Sequence, residues 1–180
     1  NPLPDYVTTL PEAIGRLYSN LFQLCNERKL VLISIAKTSH EVAHGQVWWR
    51  NNHSDSAMPR EISDSEMIYR WTDKQPGCST PILFGKRAFF RGSRRALIDL
   101  QNAPAIISFF VRLSEFDDAL RIDVPAFCVG RAETIDAVER EQLIAVNEIA
   151  PILKLLSADY GGLEVYNALL YSVDREVRLR

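Results

Sequence analysis

Leu30-Val31-Leu32-Ile33-Ser34-Ile35-Ala36-Lys37-Thr38-Ser39 is the stretch on which the reading of the fold turns. Up to Ala36 it is apolar except for Ser34, and its first four side chains are Val, Leu or Ile. That composition predicts a strand covered on both faces, in the interior of a sheet layered with helices. The run then stops at a lysine and two hydroxyl residues, so the strand would carry Lys37 to the carboxyl edge of the sheet. Ligands bind at that edge in open α/β sheets. The alternative is that Lys37 simply ends the strand in solvent.

Working outward on the N-terminal side, Asn1 to Val7 carries two prolines and reads as an extended lead-in. Thr9-Leu10-Pro11-Glu12 has the form of a capping box, with proline in the first turn where its missing N–H costs nothing. Ile14, Leu17, Tyr18, Leu21, Leu24 and Cys25 recur at helical spacing and predict one amphipathic helix to about Glu27. A helix feeding a buried strand suggests helix-on-sheet layering.

On the C-terminal side, residues 40–62 are polar and predicted irregular. His40, His44 and His53 lie in this segment, but no cysteine is near and no periodicity makes them converge as metal ligands. Trp48-Trp49 reads as a lid or partner contact, with base stacking the other physical option. Ser63-Asp64-Ser65-Glu66 repeats the capping-box pattern and opens a short helix through Met67, Ile68 and Trp71. That gives Asp64 and Glu66 structural work at a helix start, against a metal-ligand role. Gln75-Pro76-Gly77 is a turn, and Ile82–Phe84 and Ala88–Phe90 are short strand candidates.

Lys86, Arg87, Arg91, Arg94 and Arg95 place five cations in ten residues, interleaved with Phe89 and Phe90 and with no acid among them. The cluster is either a solvated face or a contact for a phosphate backbone. Ala105–Val111 is a second continuous apolar run, ending in the cation Arg112, and it is predicted to neighbour Leu30–Ala36 inside the sheet. Leu120–Pro125 alternates instead, so one face is buried and the other carries Arg121 and Asp123. Val138, Ile144, Ile149, Leu153 and Leu156 predict a long helical stretch from Thr134 to Ser157, divided at Pro151. Gly161-Gly162 ends it, and Leu163–Leu179 reads as a last amphipathic helix holding Asp174.

A chain of 180 residues is the size of one domain, and no boundary or repeat divides it. Hydrophobic residues at 47% and charged residues at 24% are those of an ordinary globular protein. A net charge of −2 gives no global pull toward nucleic acid or anionic lipid, so a basic site must be local. Three widely spaced cysteines point to a reducing compartment, a cytoplasmic setting, and away from structural zinc. No apolar run reaches the roughly eighteen residues of a membrane span, so no membrane partner is expected. No signal peptide opens the chain, which begins at Asn1 and not Met, as if upstream residues had been removed.

These landmarks, taken in order, resemble the NurA-domain nucleases. The ordered set is Ala36-Lys37-Thr38-Ser39, Ser63-Asp64-Ser65-Glu66-Met67, Gly77-Cys78-Ser79-Thr80-Pro81, Phe109-Phe110-Val111-Arg112-Leu113 and Leu120-Arg121-Ile122-Asp123-Val124-Pro125. It closes with the helix after Gly161-Gly162, ending Val173-Asp174-Arg175-Glu176-Val177-Arg178-Leu179. The resemblance implies an α/β fold, a mixed sheet flanked by helices with an RNase-H-like core. It implies a metal-dependent DNA end-processing nuclease of the 5′–3′ exonuclease or endonuclease type, acting in DNA repair. The expected partners are DNA, a HerA-like hexameric ATPase and a second copy of the chain.

By the same resemblance, Lys37 matches a basic residue beside the scissile phosphate. Asp174 matches a ligand of Mn2+ or Mg2+, and the basic cluster would hold DNA. Carboxylates suit such hard cations, which activate water while a lysine steadies phosphate charge. The family also has an aspartate ending its first strand, in an Asp-Gly setting, as a metal ligand. Before Lys37 this chain offers only Asp5, Glu12 and Glu27, none of them ending an apolar strand. Either residues 1–180 form the C-terminal part of a longer domain, or the domain is a non-catalytic NurA-like module that binds DNA or an ATPase partner.

Overall fold

The computed structural model describes residues 10–36, 41–53, 62–85, 102–113, 115 and 118–157. Helix α1 spans Leu10–Arg28, close to its predicted extent. It stops where Lys29 turns left-handed at φ 54°, and the Leu30 N–H closes back on the Cys25 carbonyl at 2.9 Å. The periodicity forecast the helix but not its cover. Cys25 is buried, whereas Leu17 is 68% and Tyr18 53% exposed.

The decisive stretch folds differently from its expectation. Strand β1 is only Ser34–Ala36, and Leu30 and Val31 before it are half exposed. The sheet runs β1-β5-β4-β3-β6, with β2 pairing β4 off that path, so β1 is an edge strand. β2 is Gly77–Cys78, β3 Ile82–Phe84, β4 Ile106–Arg112, β5 Leu120–Pro125 and β6 Gln142–Leu143. β5 stands between β1 and β4, so the two apolar runs are not neighbours. β4 and β5 are consecutive strands, and sequential strands commonly take neighbouring places in a sheet, so β5 holds the position beside β4.

The pairings with a defined register, β2–β4, β3–β4 and β3–β6, are all antiparallel. The architecture is α/β, an open antiparallel sheet flanked by helices, where a mixed sheet had been expected. β4 fulfils its reading as a covered strand, with Ile107 through Arg112 buried. β5 keeps its alternation: Leu120 and Ile122 are buried, and Arg121 and Asp123 are partly open. Among the described residues no helix is long and apolar enough to cross a membrane.

Two segments changed class. Residues 43–52, expected irregular, form helix α2 (Ala43–Asn52), because its buried face, His44, Gly45 and Val47, packs inward despite the polar composition. The stretch 134–157 is not one helix. Thr134 bridges Pro104, Gln142–Leu143 is β6, and Val146–Ile149 is a 3₁₀ turn. Helix α4 is only Ala150–Leu156, and Pro151 sits in its first turn, where proline starts a helix and does not divide it. Helix α3, Asp64–Trp71, begins as read, with the Ser63 hydroxyl accepting from the Glu66 N–H at 3.2 Å.

The contacts gather into two compact units. In the unit of 1–34, 82–108 and 123–143, the core holds Ile82, Leu83, Phe84, Ile107, Val124 and Ile135. Gly85 is packed so tightly there that a Cβ would fall 2.0 Å from the Val138 carbonyl oxygen. In the unit of 35–81, 109–122 and 144–180, the core holds Val47, Met67, Phe109, Phe110, Ile122 and Ile152. Full burial of each such side chain contributes about 1.5–3 kcal/mol.

Candidate functional site

Lys37, Lys86, Arg87, Arg91, Arg94, Arg95 and Asp174 all lie outside the described residues, as do His40 and the predicted last helix. What the described residues do bring together is a pair of the landmarks. β2 lies antiparallel on the end of β4, with Gly77 opposite Arg112 and Cys78 opposite Val111. Ser79 extends the contact. Its N–H donates to the Phe110 carbonyl, and its hydroxyl accepts from the Phe110 N–H, both at 2.9 Å.

At this junction Arg112 ends a covered strand and is itself only 5% exposed. Its Nη1 donates to the Thr72 hydroxyl at 2.9 Å, and that hydroxyl donates onward to the Ile68 carbonyl at 2.7 Å. A cavity of about 220 Å³ opens here, lined among others by Ile68, Thr72, Gly77, Cys78, Ser79 and Arg112. Burial pushes the Cys78 thiol up to about 11. It is therefore neutral near pH 7 and a poor nucleophile. The sequence had shown Arg112 only as the cation closing an apolar run.

Asp64 is wholly buried and fully engaged. Its Oδ1 accepts from the Gly45 N–H at 3.0 Å. Its Oδ2 accepts from the His44 N–H at 3.2 Å and lies 3.1 Å from His44 Nδ1. The carboxylate thus caps the start of α2 from α3, twenty residues along the chain. The sequence placed Asp64 at a helix start but not His44 beside it, because 40–62 had no visible periodicity. Glu66 is engaged as well, by Arg70 at 2.5 Å on the surface of α3.

The expected metal ligand, Asp174, lies outside the described residues. Among the described residues no group of three or more His, Cys, Asp and Glu side chains is arranged to hold an ion. In the other unit, Asp123 of β5 accepts a hydrogen bond from the buried Ser108 hydroxyl of β4. The three cysteines are free thiols. Burial raises Cys128, a rise that neighbouring Cys25 reinforces and a contact with the Leu32 carbonyl opposes. Comparison of the chain with protein-family models, curated proteins and solved structures finds no match.

Proposed function

We propose that the chain is a NurA-like module of a metal-dependent nuclease that processes DNA ends in repair, with an RNase-H-like core. The observation that carries this reading is the meeting of two resemblance landmarks more than thirty positions apart. Gly77-Cys78-Ser79 hydrogen-bonds along Phe109–Arg112, and the next landmark, Leu120–Pro125, forms the adjoining strand. That proximity is what the reading requires of motifs contributing to one site. In this reading Lys37 steadies the scissile phosphate, Asp174 contributes to holding the divalent ion, and Lys86 to Arg95 grip the DNA backbone. The module works as a homodimer with a HerA-like hexameric ATPase.

A second reading, a non-catalytic module that binds DNA or an ATPase partner without cutting, is favoured by Asp64 and Glu66. Both acids of the Ser63–Met67 landmark make structural bonds. One experiment separates the two. The product of the whole coding sequence is incubated with end-labelled duplex DNA and manganese, beside Lys37→Ala and Asp174→Ala. The nuclease reading expects digestion that both substitutions abolish without unfolding the protein. DNA binding without digestion selects the DNA-binding form of the second reading, and neither binding nor digestion overturns the nuclease reading and leaves only the ATPase-binding form.

A further inference from the structure

Arg112 carries a charge that the described fold does not answer. A guanidinium presents five N–H donors and a full positive charge. The recorded side-chain bond goes to Thr72, a neutral hydroxyl whose own proton is committed to Ile68. The buried Nε has no hydrogen-bond partner. No carboxylate among the described residues pairs with Arg112. Leaving a buried cation with so little compensation is strongly unfavourable, and proteins rarely retain one without a counter-charge.

The cavity beside it supplies room for that counter-charge. Its roughly 220 Å³ is several times the ~30 Å³ share of one liquid water. The wall opposite Arg112 is Gly77, where an added Cβ would meet no atom within 4 Å. Ser79 Oγ accepts from the Phe110 N–H, which leaves its hydroxyl proton to donate. The Cys78 thiol, held neutral by burial, does not act as the anion.

We propose that Arg112, with Thr72, Gly77 and Ser79 around the cavity, forms a binding site for a small oxyanion, the phosphate or carboxylate group of a ligand. Arginine's planar fork suits both groups, each able to accept two parallel N–H bonds. The proposal does not depend on the nuclease reading.

The test uses the full chain, 15N-labelled, following the Arg112 Nε–Hε resonance, which is identified by its loss in Arg112→Lys. Sodium phosphate, sodium acetate and sodium chloride are titrated in parallel at matched ionic strength. The proposal expects a saturable shift with phosphate, with acetate or with both, and none with chloride. Saturation by phosphate alone assigns a phosphate group, and saturation by acetate alone a carboxylate. Arg112→Gln should bind the effective anion at least about tenfold more weakly, the loss expected for a charge-assisted bond. Shifts that never saturate, or that chloride reproduces, overturn the proposal, and so does undiminished binding by a folded Arg112→Gln. Because the wild-type titration stands alone, a variant that fails to fold does not shelter the proposal.

Discussion

His44 Nδ1 lies 3.1 Å from Asp64 Oδ2, with both side chains wholly buried. The same carboxylate also receives the His44 and Gly45 N–H groups, so one side chain fixes the first turn of α2 to the start of α3. The His44 ring stands edge-on to Phe110 of β4 at 5.1 Å between centroids and tilted against Trp48 at 5.4 Å. A polar pair thus anchors an apolar cluster.

Asp64→Ala removes the acceptor for two backbone donors and one ring nitrogen in a dry site. Chemical denaturation should show a loss of about 3–5 kcal/mol, the range for breaking a buried hydrogen-bonded pair. Asp64→Asn keeps the shape and one carbonyl acceptor and should cost less. Equal stability of the alanine variant would mean the clamp carries no weight.

Gly85 and Gly45 give a paired test of close packing. At Gly85 a Cβ meets the Val138 carbonyl oxygen at 2.0 Å, a backbone atom that must move. At Gly45 the nearest atom is the Met67 sulfur at 3.1 Å, on a flexible side chain. Gly85→Ala should therefore cost about 2–3 kcal/mol or more, and Gly45→Ala about 1 kcal/mol or less. Thermal melts of the two variants check the order, and the reverse ranking would contradict the packing described.

The Cys78 thiol supplies a pH prediction. Its ordinary value is 9.0, and burial raises it to about 11 in the folded protein. The native state therefore holds the proton that the unfolded chain releases first. The resulting stability is complete below about pH 9 and is lost as pH rises toward about 11. Alkylation of Cys78 by iodoacetamide, followed by mass spectrometry, should stay slow at pH 9 and accelerate only near pH 11. A rate half-maximal near pH 9 would show an open thiol.

Much of the fold could be read from local chemistry. Ser63 as the cap of α3, the covered β4 and the alternating β5 all follow from short-range patterns that tertiary contacts did not override. Leu30–Ala36 misled because an apolar run records hydrophobicity, not position in a sheet. The interior places went to β3, β4 and β5. Over 134–157 four of the five apolar positions that suggested the helix, Val138, Ile144, Ile149 and Leu156, are buried, and Leu153 is partly so. The helical class held only from Ala150 to Leu156; earlier in the stretch long-range bonds outweigh propensity, Ile135 N–H to the Ala103 carbonyl and Ile144 N–H to the Pro81 carbonyl. Of the site, Arg112 was visible only as a terminal cation. Its burial depends on β2 and Thr72, which one-dimensional spacing does not reveal.

The central claim, that this chain works on DNA, is tested most directly by the salt dependence of its affinity for duplex DNA. The dissociation constant is measured across a salt series for the wild type and for Arg94→Ala/Arg95→Ala. If these arginines contact phosphates, each contributes about 0.9 to the slope of log affinity against log salt. The double variant should then bind more weakly, with a slope shallower by about 1.8. An unchanged slope, or no measurable binding by the wild type, would contradict the account.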